Sequence, residues 1–158
     1  MLEAFFSQNH RISAPRLGKE WSLEEQSTRR TTRVMARLTV PGQFAFFVAE
    51  DSQVEVPQQP EAWARMRQAE YAQNYQAVNC NYRESVSRDG VRWLEVSLEI
   101  TLHARLAPLN KLERIAVVGS HRLILSVEAS AKDLRKFWLE AQQWFDEVQF
   151  AVLKGIES

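Results

Sequence analysis

From Leu94 to Leu102 every second residue is aliphatic (Leu94, Val96, Leu98, Ile100, Leu102), and Glu95, Ser97, Glu99 and Thr101 fill the places between. A period of two over this length is a strand with one face on a core, in a sheet that must supply neighbours. The preceding segment supplies one. Val78, Cys80 and Tyr82 also alternate, and Asp89-Gly90 lies between the runs. A two-residue turn would set Tyr82 against Ser97 and put the two apolar sets on opposite faces. A three-residue loop, Arg88-Asp89-Gly90 with Gly90 left-handed, pairs Tyr82 with Val96, Cys80 with Leu98 and Arg83 with Glu95. This second register joins the apolar sets and adds a cross-strand ion pair, so it is the one expected.

The same period recurs. Val34, Ala36, Leu38 and Val40 alternate with Arg33, Met35, Arg37 and Thr39. Pro41-Gly42 suits the centre of a type II turn, and Phe44–Ala49 is apolar on both faces, as a central strand is. Leu112–Val118 and His121–Ala129 form a second hairpin turning at Gly119-Ser120; both strands are apolar on both faces, so their register stays open. His10–Ala14 reads as a short first strand buried through Ile12. Residues 1–32 are otherwise polar and partly irregular, anchored by Trp21 and Leu23.

Two segments are helical. Pro60 suits a first helical turn, and Glu61–Asn74 carries a narrow stripe of Ala62, Met66 and Ala69, with Trp63 at its margin. Ser130 is an N-cap with Asp133 at the third helical position. After it, Leu134, Phe137, Trp138, Ala141, Phe145, Val148 and Val152 fall in one sector, giving a single Ser130–Val148 helix across the sheet. Leu139, Phe150 and Leu153 lie opposite, as a second apolar face produced by fraying or by a partner contact. The order β-β-β-α-β-β-β-β-α gives an α+β fold, an antiparallel β-sheet covered by helices. The 158 residues (1–158) read as one such domain.

Composition narrows the function classes. Lys+Arg and Asp+Glu both number 20, which argues against a general nucleic-acid binder or a polybasic membrane binder. No run approaches the ~20 apolar residues of a transmembrane segment. The start lacks a basic leader, so a cytoplasmic protein is expected; a periplasmic one whose leader had been removed would read the same. One cysteine excludes an intramolecular disulfide framework. Cys80 takes an inward strand position, as a small hydrophobe does.

Catalytic motifs are missing. There is no G-x-S-x-G, phosphate loop or dinucleotide fingerprint, and only five Gly occur. His10, His103 and His121 are isolated, and the pairs Glu24-Glu25 and Asp146-Glu147 point apart on either secondary structure. The expectation is no catalytic residue, no metal, no cofactor and no enzymatic activity.

Fifteen of the twenty cations are Arg. Genomic bias explains such a ratio; so does recognition of carboxylate or phosphate by planar guanidinium groups, with Arg29, Arg30, Arg33 and Arg37 the one concentration. Trp93 shares the polar side of its strand with Glu95, Ser97 and Glu99, so it is either covered by a helix or exposed for binding. If that side and the outward side of Arg33 and Arg37 are one face of the sheet, Trp93, Arg33 and Arg37 form a partner-binding site for an acidic or mixed surface.

The layout resembles the superfamily of PsbP-like and DcrB-like proteins. The matching features are Arg11-Ile12-Ser13-Ala14-Pro15 followed by Trp21, the Val34–Val48 hairpin, and the helix after Pro60. They continue in Asp89-Gly90-Val91-Arg92-Trp93 leading into a long strand, and in the Gly119-to-Phe150 strand–helix unit. The resemblance implies an antiparallel sheet between helices. It also implies mostly non-catalytic roles: extrinsic photosystem subunits, bacterial lipoproteins, a GTPase-binding nuclear import factor and secretion-effector chaperones. The leading expectation is therefore a protein-interaction module whose partner is another protein, itself included as a homodimer. A small-ligand or lipid-binding cup between sheet and helix is the alternative, and an enzyme of unrecognised type the third reading.

Overall fold

The computed structural model describes residues 4–56, 58–75, 77–86, 90–101 and 108–154. Pro57, Arg88, Asp89, Leu102 and His103 lie outside the described residues. The main sheet has seven antiparallel strands in the order β3-β4-β5-β9-β8-β7-β6. They are β3 (Trp21–Ser27), β4 (Thr31–Leu38), β5 (Ala45–Gln53), β6 (Ala77–Val86), β7 (Arg92–Thr101), β8 (Leu109–Val118) and β9 (His121–Ser130). A three-stranded and a four-stranded meander thus meet at the β5–β9 pair.

The crossing between them is α1 (Pro60–Asn74). It leads from β5 to the far edge strand β6, four strand spacings away. At ~4.8 Å each that is about 19 Å. Fifteen helical residues rise about 22 Å, so one helix spans the gap along one face of the sheet. The other face is covered by α2 (Ala131–Lys136), α3 (Trp138–Glu147) and a small sheet of β1 (Phe5–Phe6), β2 (Ile12–Ala14) and β10 (Gln149–Phe150), after which α4 (Ala151–Lys154) ends the described chain. The architecture is an α+β sandwich, as the alternation implies.

The hairpin register is the expected one: Tyr82 opposes Val96, Cys80 opposes Leu98 and Arg83 opposes Glu95. Gly90 has φ 79°. Gly42 (φ 76°) supplies the positive φ after Pro41, and the Gln43 N–H donates to the Val40 carbonyl at 3.3 Å, closing the turn. The second hairpin turns at Gly119-Ser120 and pairs Val118 with His121.

Four expectations are corrected. Trp21–Ser27 is a full edge strand, because its alternation (Trp21 and Leu23 inward) lies in a run too polar to stand out. The first strand is not in the main sheet; Ile12–Ala14 pairs with Phe5–Phe6 and Gln149–Phe150. The final helix breaks at Phe137 (φ −107°, ψ 28°). Its buried sector is Phe137, Ala141, Trp144 and Val148, while Trp138 is 41% exposed and Phe145 half-buried. Trp138 and Phe145 lie about 80–100° round the helix from Phe137, beyond the edge of that sector, which their apolarity made seem wider than it is. The second apolar face does not exist as one surface, and the helix ends at Val148 as the fraying alternative has it: Leu139 is exposed, whereas Phe150 belongs to β10 and is buried.

A fifth correction concerns α1. Ala62, Met66 and Ala69 point to solvent, and the helix meets the sheet through Ala64, Trp63, Arg67 and Tyr71. The stripe is displaced because the larger apolar side chains Trp63 and Tyr71, with Ala64, pack on Leu94, Val96, Leu98, Ile115 and Ile124, and Arg67 beside them meets the buried Glu113.

Candidate interaction surfaces

Strand pairing places Arg33, Arg37, Glu50, Arg122, Glu113 and Lys111 on the face under α1. Trp93 points to the other face with Ala116 and Leu125. It is 7% exposed and its ring meets Phe150 at 6.3 Å. Trp93 therefore shares no surface with Arg33 and Arg37. The two meanders use opposite faces as their first apolar side, which is why two outward faces read from separate hairpins are not one. Arg33 and Arg37 are both exposed. Arg33 donates through Nε to Glu50 at 2.9 Å, and the Arg37 guanidinium lies 5.1 Å from the Phe46 ring centre.

The face under α1 holds a buried ionic network. Glu50 bridges Arg33 and Arg122, the latter at 3.5 Å. Glu113, 2% exposed, lies 3.2 Å from both Arg67 and Lys111. The Tyr71 hydroxyl accepts from Arg67 Nη2 at 2.6 Å and from Lys111 Nζ at 2.7 Å. Burial by itself would lower the Lys111 pKa, but the Glu113 carboxylate and Tyr71 outweigh it and hold the ammonium above its ordinary value. Arg122 goes the other way: burial outweighs the Glu50 carboxylate, and Arg67 adds repulsion, so its pKa is lowered. Its guanidinium stacks on the Trp63 ring, 3.6 Å from the centre. Beside this network an open groove of about 880 Å³ runs between α1 and the β3–β4 turn.

These residues left one trace in the sequence. Lys111 and Glu113 share a strand side with Ile115 and Val117, and Glu50 continues the side of Phe46 and Val48, so each puts a charge on an otherwise apolar side that must find a buried partner. Which partner it finds is a tertiary matter.

On the other face, α3 covers only the middle of the sheet. Its outer edge and β6–β8 enclose a trench of about 410 Å³ lined by Arg83, Glu95, Arg114, Trp138, Gln142 and Asp146 among others. Arg114 donates to Glu95 at 2.8 Å and lies 4.5 Å from the Phe145 ring centre. Trp138 and Leu139, 41% and 78% exposed, stand at the start of α3.

A third cluster ties the N-terminal strap to the sheet. His121 Nδ1 is 2.7 Å from Asp51, a carboxylate that Arg11 also holds. Among the described residues no hydroxyl or thiol is hydrogen-bonded to the other ring nitrogen, so the pair activates no nucleophile by the geometry that a triad requires. No three His, Cys, Asp or Glu side chains converge on a metal-sized site among the described residues. No helix is long and apolar enough to cross a membrane among the residues described.

No family model and no curated protein matches this sequence. Among solved structures, that of the Saccharomyces cerevisiae Ran-binding protein Mog1p is similar, with a TM-score of 0.59 at 6% sequence identity. The match covers 98% of this chain and 97% of that chain. At this identity the likeness is one of fold: this chain has the α+β sandwich of Mog1p.

Proposed function

We propose that the chain is a non-catalytic protein-interaction module, an adaptor, chaperone or accessory subunit, that binds through the outer edge of α3. The observation that carries this reading is the adjacent exposure of Trp138 and Leu139 on a helix whose inner side is fully packed. Large apolar side chains left together in water mark a contact surface, and tryptophan and arginine dominate interface energetics. The trench beside them supplies the rest, with Arg83 and Arg114 against Glu95 and Asp146 as a rim of mixed charge. The partner is a protein segment that brings an apolar anchor and both signs of charge. A similar fold in a Ran-binding protein supports a binding role.

The trench also keeps the ligand-cup reading in play, since it lies between sheet and helix and its volume is that of a small-molecule site. Native mass spectrometry of the freshly purified chain separates the two. The module requires a co-purified protein or a second copy, lost in the double variant Trp138→Ser/Leu139→Ser with the fold retained. A small-molecule mass retained in that variant would replace the module with the cup. A bare monomer whose recovery of partner proteins does not depend on Trp138 and Leu139 overturns the proposal.

A further inference from the structure

The face under α1 is out of balance in its inner shell. Four cations, Arg33, Arg67, Lys111 and Arg122, lean on two buried carboxylates, each of which serves two of them. Glu128 stands off at 4.0 Å from Lys111. Two donors, Arg122 Nε and Trp63 Nε1, and one acceptor, Glu113 Oε1, are buried here with no hydrogen-bond partner among the described residues; the two donors lie beside the groove, whereas Glu113 still has Arg67 and Lys111 within ion-pair distance. Buried donors normally find acceptors, and guanidinium groups are shaped for carboxylate oxygens. Three of the four cations come from different elements (β4, α1 and β9) and line one open groove.

We infer that this groove binds an acidic segment of a partner protein, its carboxylates taken by Arg33, Arg67 and Arg122. Arg33, with 44% of its side chain exposed, stands at the mouth. Arg67 and Arg122 lie deeper, 23% and 20% exposed. The groove is open and about 880 Å³ in volume, room for an extended chain rather than for a single small anion. Glu70 stands at its edge, whereas the Glu25 carboxylate lies on the far side of β3, where it accepts from the Gln8 N–H and the Ser27 hydroxyl. Glu70 selects against a phosphate group, which concentrates two charges at one point. A peptide spreads single charges along the groove and can keep them clear of the rim. This site is on the opposite side of the sheet from Trp138 and stands independently of the surface proposed above.

Fluorescence anisotropy of a labelled Glu-rich peptide titrated with the full chain tests it. Saturable binding is expected at low salt, weakening as salt is added, and a control peptide with Gln for every Glu does not bind. Arg33→Gln, which keeps an N–H donor for the buried Glu50, should weaken binding about tenfold, and Arg122→Gln by at least as much. Trp138→Ser should leave the affinity unchanged, which separates this site from the α3 surface. If Arg122→Gln does not fold, Arg33→Gln alone decides. The inference is overturned by absence of saturable binding, by affinity that ignores Arg33→Gln, or by inorganic phosphate binding more tightly than the peptide.

Discussion

Arg11 grips the Asp51 carboxylate side-on, with Nη2 2.7 Å from Oδ1 and Nε 3.3 Å from Oδ2. Asp51 is 1% exposed, so this contact joins the N-terminal strap to the middle of the main sheet through a charge that water cannot reach. The Arg11 carbonyl also accepts from the Ala151 N–H, which ties the start of β2 to the start of α4.

Removing the cation leaves Asp51 buried with His121 as its one remaining side-chain partner among the described residues. Arg11→Ala should therefore cost about 3 kcal/mol, the lower end for breaking a buried pair. Urea denaturation measures it; a loss below about 0.5 kcal/mol, the size of an ordinary surface change, would show that the strap does not depend on this clamp.

Trp144 and Trp138 differ by six positions and stand on different sides of the helix. Trp144 is fully buried against Phe47, and its Nε1–H donates to the Val48 carbonyl at 3.1 Å. Trp144→Ala should cost about 3–5 kcal/mol, whereas Trp138→Ala should stay within about 0.5 kcal/mol. Equal losses from the two variants would contradict the helix phase described above.

Gly90 ends the β6–β7 loop at φ 79°, and a Cβ added there would meet nothing within 4 Å. The penalty for a side chain is then one of backbone conformation alone. Gly90→Val should destabilise the domain by at least about 1–2 kcal/mol and Gly90→Asn by clearly less, because asparagine tolerates the left-handed region. Thermal melts of the two variants compare them directly.

The raised pKa of Lys111 makes a prediction for alkaline pH. The fold favours the protonated form, so this contribution is fully present below the unfolded value, about 10.4, and is lost as pH rises through the higher folded value. Wild-type stability should fall more steeply above about pH 10.4 than that of Lys111→Met, which has no proton to lose there. Melting curves on both sides of that pH test it, and parallel pH profiles would exclude Lys111 as a contributor.

The β6–β7 register was legible because only one pairing puts Tyr82, Cys80, Val96 and Leu98 on a common side while setting Arg83 beside Glu95. The Pro41-Gly42 turn, the Pro60 helix start and the Ser130 cap were legible for a related reason. Each depends on backbone geometry or on a hydrogen bond a few residues away: Ser130 Oγ accepts from the Asp133 N–H at 3.2 Å. Even there the tertiary fold intervened. The Asp133 carboxylate accepts from the Phe44 N–H at 2.9 Å, fastening the helix to the β4–β5 turn instead of closing the capping box.

Alternation within a strand determines which residues share a side, and so the sequence by itself determined the sheet, its hairpins and its α+β class. It does not determine which side of one hairpin continues which side of another. That depends on how β5 and β9 pair, and their pairing put Trp93 under Phe150 and Arg33 under the open sky of the groove. Helical periodicity likewise marks a stripe without saying what it faces. Only the tertiary structure decided that α1 turns its Trp63, Arg67 and Tyr71 side inward: Trp63 and Tyr71 bury more apolar surface on the β7–β9 aliphatic cluster than Met66 would, and Arg67 and Tyr71 meet Glu113 and Lys111, buried charges that are costly to leave without partners.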